Sequence, residues 1–273
     1  MIKYGGKMKE IQNETTKEKL VRLLLTILNW GYDVEVYDDD LYAKVKKRLK
    51  LHNEYDTIRM RCCIDLIEDT ENAILHICEY GLEKFNYKSN NLGEKYLKLY
   101  GILNAVYLQM SCIIELYEIL NVPNKYDVTT HFKALQIFEL RNVAGSHTVN
   151  FQDNSESVPQ NVKKNFFRIT QMQINAKGDK LHAVDGFHNL KEFNLYELIM
   201  EYNVLSEEYL YNAMTKYYKS VLPHGNKSLD GWISENKLLD FKHFDYRKLY
   251  KNDIAQKQYL SRIRRKLKNE IMK

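Results

Sequence analysis

The sequence predicts a mainly α protein: a helical bundle built on two long antiparallel helices, with a small β-hairpin inserted after them. Three observations carry this. Apolar residues recur at helical spacing along most of the 273 residues. There are only 3 prolines and 11 glycines, too few for a fold of many short strands and tight turns. The window 165–185 alone switches to strand-like alternation around a turn.

Taken in order, Thr15-Thr16-Lys17-Glu18 offers a capping box before Leu20, Leu23, Leu24, Ile27 and Leu28, and Gly31 is expected to end that helix. Asp38-Asp39-Asp40 marks a second start, ahead of Leu41, Val45 and Leu49, and is read as cap and dipole partner rather than as a cation site. A long helix is expected over 55–85, its buried stripe running through Ile58, Cys62, Ile67, Ile74, Ile77, Cys78 and Leu82. A polar turn at 86–91 leads to a second, over 93–120, with Tyr96, Leu99, Leu103, Val106, Met110, Ile113, Leu116 and Leu120 on its apolar face. Two such helices joined by a short turn should form a hairpin. Val122-Pro123-Asn124 breaks the chain, and Asp127 or Thr129 caps a helix carrying Phe132, Leu135, Leu140 and Val143. Phe167 to Ile174 and Lys180 to Val184 flank the turn Asn175-Ala176-Lys177-Gly178-Asp179 as the two strands. Helical periodicity resumes near Leu190 and continues to about Val221. Pro223-His224-Gly225-Asn226 then divides a helical domain, 1–223, from a basic C-terminal extension, 224–273, helical from about Asp245.

Composition excludes some classes. No apolar run reaches eighteen residues, so no membrane span is expected. Met1 to Lys7 lacks the apolar core of a signal peptide, which points to the cytoplasm. Cys62, Cys63, Cys78 and Cys112 form no Cys-x-x-Cys pair and have no histidine at ligand spacing; buried, reduced thiols are expected, with no metal and no cofactor. A net charge of +5 permits a polyanionic partner without requiring one.

The stretch Glu139-Leu140-Arg141-Asn142-Val143-Ala144-Gly145-Ser146-His147, at the end of a helical run, joins the residue types that phosphodiester chemistry needs without a metal. His147 can move a proton near neutral pH, Arg141 can fork onto a phosphate, and Asn142 adds a hydrogen-bonding amide. Two lysine- and arginine-rich clusters could follow an RNA backbone: Lys44, Lys46, Lys47, Arg48 and Lys50, and Arg262, Arg264, Arg265, Lys266 and Lys268. The 21 tyrosines fall mostly at apolar helix positions, where core packing is the default. His131, ten residues before Arg141, is read as structural.

The motif Arg141-Asn142-Val143-Ala144-Gly145-Ser146-His147, set after two long antiparallel helices, resembles the HEPN superfamily, whose signature is Arg, four to six residues, His, often with a polar residue after the arginine. The resemblance spans residues 15 to about 220 and rests on this one motif. It implies a metal-independent endoribonuclease that cleaves single-stranded RNA through the ribose 2′-hydroxyl, in toxin or anti-phage defence settings. It also implies a homodimer in which two motifs meet, and an antitoxin or defence-system partner. His147 would be general base or acid, Arg141 the phosphate anchor and Asn142 the orienting amide. Some members carry a modifiable tyrosine two positions past the histidine; here that position is Val149. The alternative is a non-catalytic helical dimer or a basic RNA-binding module.

Overall fold

The structure is a computed structural model and describes residues 14–34, 41–82, 92–146, 167–170, 174, 178, 180–185 and 188–249. Helix α1 (Thr16–Tyr32) opens with the expected capping box, in which Thr15 Oγ1 accepts from the Glu18 amide and the Glu18 carboxylate accepts from Thr15 N. The helix does not stop at Gly31 but continues one residue further. Gly31 serves packing instead: a Cβ there would lie 2.5 Å from Leu49 Cγ, so only glycine lets α2 (Leu41–Arg48) and the turn after it close on α1. The Asp38-Asp39-Asp40 start signal lies outside the described residues.

The two long helices are α3 (Asp56–Tyr80) and α4 (Leu92–Ile119). They run antiparallel: Arg59 Nε donates to Glu115 at 2.9 Å, while the Ile67 carbonyl accepts from Gln109 at 3.4 Å. The expected apolar face of α4 is buried, with Tyr96 partly so. The expected stripe of α3 is out of phase at its start, because Ile58 and Cys62 are exposed while Met60, Cys63 and Ile64 are buried. The buried face runs through Met60, Cys63, Ile64, Ile67, Thr70, Glu71, Ile74, Ile77 and Cys78 at spacings of three and four, so the stripe starts from Met60 rather than Ile58. Among the described residues α4 is the one helix long and apolar enough to cross a membrane; 56% of its apolar window is buried in the bundle.

The single helix expected after Asn124 is two, α5 (Lys125–Ala134) and α6 (Gln136–Arg141), divided by Leu135 in an extended conformation. No glycine or proline marks that break, and the residue capping α5 is Asn124, not Asp127 or Thr129. A π-helical turn, Asn142–Ser146, continues from α6.

The hairpin is present and is joined by a third strand. β1 (Phe167–Ile169), β2 (Leu181–Asp185) and β3 (Leu190–Phe193) form an antiparallel sheet in that order, with Ile169 opposite Ala183 and Leu181 opposite Phe193. Helical structure therefore resumes not at Leu190 but at Leu195, where Asn194 Oδ1 accepts from the Glu197 amide at 3.1 Å and starts α7 (Leu195–Val221). Asp185 fixes the β2–β3 turn by accepting from Asn189 N at 2.8 Å. The sheet leans on the N-terminal half of α4, where Tyr96 Oη donates to the Ile169 carbonyl and Lys95 Nζ to that of Ile174. A Lys191–Glu139 ion pair ties it to α6.

After Pro223 the chain re-enters the same core. Helix α8 (Lys227–Glu235) and the strap that follows bury Leu229, Ile233, Leu238 and Tyr246. From Asp245 the described part is a short 3-10 turn, Tyr246–Leu249; the remainder of the expected charged helix lies outside the described residues.

Candidate functional site

Arg141 sits at the last position of α6 and Asn142 opens the π-helical turn. Val143 and Ala144 behind them are buried, which anchors the turn and leaves Arg141 and Asn142 partly exposed at the rim. The guanidinium carbon lies 4.2 Å from the centroid of the Tyr107 ring on α4, and Arg141 Nη1 donates to Asn142 Oδ1 at 3.3 Å. Tyr107 is itself held edge-on by Phe138, one turn back on α6. So a π face and an amide aim the cation, while among the described residues no carboxylate neutralises it. The neighbouring acid, Glu139, is taken by Lys191. A π-turn inserts an extra residue per turn and is a frequent mark of functional positions. His147 lies outside the described residues, so the arginine and the amide are brought together and the histidine is not placed.

The first basic cluster divides. Lys44 and Lys47 on α2 are exposed and Lys46 is half-buried. Arg48 is committed inward: its guanidinium stacks 3.9 Å from the Trp30 ring and donates to the Asp33 carbonyl at 2.6 Å. Lys50 donates to the Ser220 carbonyl at 2.7 Å. Arg262, Arg264 and Arg265 lie outside the described residues. His131 is hydrogen-bonded to the Tyr209 hydroxyl and stacks on its ring. Of the four cysteines, Cys63, Cys78 and Cys112 are buried, whereas Cys62 is exposed. Among the described residues no group of three or more histidine, cysteine, aspartate or glutamate side chains converges as a metal site would require.

A second concentration of polar groups escaped the sequence. Lys17, fully buried, donates to Glu71 at 2.9 Å, Gln109 at 2.9 Å and Asn203 at 2.7 Å, which uses all three ammonium protons. The rings of Tyr202 and Tyr246 lie 5.3 and 5.4 Å from the same nitrogen. Tyr246 Oη donates to Glu71 at 2.5 Å and Tyr202 Oη to Gln109 at 3.1 Å. Nearby Glu207, also buried, holds the strap by accepting from His243 Nδ1 at 2.9 Å and from Phe244 N at 3.3 Å. Burial pushes its carboxyl up, against the pull of Lys17 and His243. Burial likewise pushes both tyrosines well above their ordinary value, so they stay neutral donors. The signal available in sequence was Lys17 itself, a lysine in the first turn of α1 on the face that Leu20, Val21, Leu24 and Leu28 continue.

Between α6, α7 and the strap runs a groove of about 530 Å³, lined among others by Gln136, Glu201, Val204 and Phe244 and crossed by a two-pronged Arg247–Glu197 ion pair. Against known proteins the chain gives no match: no family model, no curated protein and no solved structure resembles it closely enough to show a family.

Proposed function

We propose that the chain is a metal-independent endoribonuclease of HEPN type that cuts single-stranded RNA in the cytoplasm as a toxin or anti-phage effector, with an antitoxin or defence-system partner. The observation that supports the reading is Arg141: a stacked, oriented guanidinium at the rim of the bundle with no carboxylate partner among the described residues. An arginine so placed offers its remaining N–H donors to a phosphate, and its forked geometry suits two phosphate oxygens at once. The order of elements around it, two long antiparallel helices followed by the motif helix, agrees with the resemblance drawn from the sequence.

In this mechanism His147 of one copy removes the proton from a ribose 2′-hydroxyl. The 2′-oxygen attacks the adjacent phosphorus while Arg141 stabilises the charge that gathers on the non-bridging oxygens. The 5′-oxygen leaves with a proton from His147 of the second copy, giving a 2′,3′-cyclic phosphate and a 5′-hydroxyl. Asn142 holds Arg141, or the phosphate, in line.

Incubating the purified chain with labelled single-stranded RNA in EDTA tests this. Cleavage is expected, and Arg141→Ala or His147→Ala should lower the rate by about 100-fold or more, the usual scale for losing one charge-stabilising group. Wild-type rates in both variants would refute the assignment. The non-catalytic RNA-binding reading draws on the exposed lysines of α2; it predicts salt-sensitive binding without any cut product.

A further inference from the structure

We propose that Cys63 and Cys112 form a reversible disulfide site: on exposure to hydrogen peroxide the two thiols join and staple α3 to α4 near the middle of their contact. The site is separate from Arg141 and stands whether or not the chain cuts RNA.

Three rungs cross the seam between these helices. Arg59 Nε donates to Glu115, and the Ile67 carbonyl accepts from Gln109. Midway between Arg59 and Ile67 on α3 is Cys63, and midway between Gln109 and Glu115 on α4 is Cys112. The antiparallel register therefore sets the two cysteines level. Each lies three or four residues from the rungs on either side, the spacing that keeps side chains on one helix face. Both are packed into that face, Cys63 at 5% exposure and Cys112 at 7%. They also touch, the Cys63 thiol donating a hydrogen bond to the Cys112 sulfur. Helix axes about 8–10 Å apart, with Cα atoms about 2.3 Å off each axis, bring facing Cα atoms to roughly 3.5–5.5 Å. A disulfide spans Cα atoms about 4.4–6.8 Å apart, so the rung can close with a small adjustment of the two side chains and helices.

The two thiols are unequal, which assigns their roles. The hydrogen bond from Cys63 holds the Cys112 thiol below its ordinary value. Cys63, as the donor and through burial, is held well above it. The Cys112 thiolate attacks one oxygen of hydrogen peroxide and the O–O bond breaks. Hydroxide leaves, takes up the proton that the thiol gave away, and a sulfenic acid remains on Cys112. The Cys63 sulfur then attacks the Cys112 sulfur. The S–S bond forms, the S–O bond breaks, and the hydroxyl departs with the Cys63 proton as water. Two thiols are oxidised and one peroxide is reduced to two waters. Peroxide is small enough to reach sulfurs with so little exposure, whereas a bulky organic disulfide is not.

The other two cysteines on α3 serve as internal controls. Cys62 is exposed, about 100° round the helix from Cys63. Cys78 is buried but lies fifteen residues further on, about 22 Å along the axis at 1.5 Å per residue. Reactivity governed by exposure alone would oxidise Cys62 first, and burial alone would leave Cys63, Cys78 and Cys112 all untouched. A crosslink between residues 63 and 112 requires the facing pair.

The test is peroxide treatment of the folded full chain, then alkylation of the remaining thiols, proteolysis without reductant and mass spectrometry. One crosslinked peptide pair, lighter by two hydrogens, should join Cys63 to Cys112, and dithiothreitol should reverse it. Cys62→Ser should keep the crosslink, and Cys63→Ala or Cys112→Ala should abolish it. The staple closes a loop of about fifty residues and should raise the melting temperature by on the order of 10 °C. If both thiols stay free after peroxide has oxidised Cys62, the proposal is overturned. A crosslink made through Cys62, or one that forms only in urea, overturns it too. So does a crosslink that leaves the melting temperature unmoved or lower, because the geometry would then have been forced.

Discussion

Two places in this molecule gather charged and polar side chains, and they are opposites. At the centre, Lys17 spends every ammonium proton on Glu71, Gln109 and Asn203, and tyrosines 202 and 246 complete the set. At the edge, Arg141 has a ring beneath it, one amide beside it and no acid in front among the described residues. Burial and charge density alone would rank the centre as the site. What separates the two is hydrogen-bonding capacity left within reach of a ligand. The buried pair spends its donors and acceptors inside the bundle, and the Asn203 amide nitrogen, which has no partner, is sealed in the core away from any ligand. An oriented cation at the rim keeps its spare donors accessible.

The sharpest way to break that contrast is Lys17→Met. It strands Glu71 in a dry interior, and removing one partner of a buried pair costs about 3–5 kcal/mol. Urea unfolding should show a loss of that size; a loss well below it would mean the centre is wetter and looser than its geometry. Glu207→Gln probes the same region through pH. Burial raises this carboxyl above its ordinary value, so its contribution is complete in acid and fades as pH climbs through the raised value. The neutral glutamine escapes that loss. Melting temperatures of variant and parent should therefore lie close at low pH and diverge in the variant's favour above the ordinary carboxylate range. A constant offset across that range would remove Glu207 from the account. The smallest effect belongs to the rim. Arg141→Ala forfeits its stacking on Tyr107, about 0.5–1 kcal/mol at a partly exposed site, and should leave the unfolding midpoint nearly unchanged. If it destabilised the chain as Lys17→Met does, the distinction between the two regions would collapse.

The sequence made the bundle legible because most of its signals were periodic. The α1 cap and the inward face of α4 follow from capping chemistry and spacing alone. The errors have physical causes. Ile58 and Cys62 are apolar but fall off the face that Met60, Ile64 and Ile67 share with Ile74 and Ile77, a phase that the spacing of those five residues carries. The strand at Leu190–Phe193 is too short to show a period of its own and merges into the helix behind it. The break at Leu135, where the backbone turns extended, is marked by neither glycine nor proline. At the candidate site, the adjacency of Arg141 and Asn142 could be read directly. Their seat on Tyr107 could not, because it joins two elements far apart in the chain. The inward commitment of Arg48 to Trp30 was invisible for the same reason.

The strap has a consequence for how the molecule is made. Tyr246 supplies the hydroxyl that completes Glu71, yet it is translated 175 residues after its partner. While the chain emerges, α1, α3, α4 and α7 can collapse together, but their shared heart stays one donor short and open to water on the side that residues 242–249 later cover. Final locking must therefore wait until residues 242–249 have been made, and a nascent chain halted before that point remains a loose intermediate, exposed to proteolysis, rather than a smaller working version of the protein.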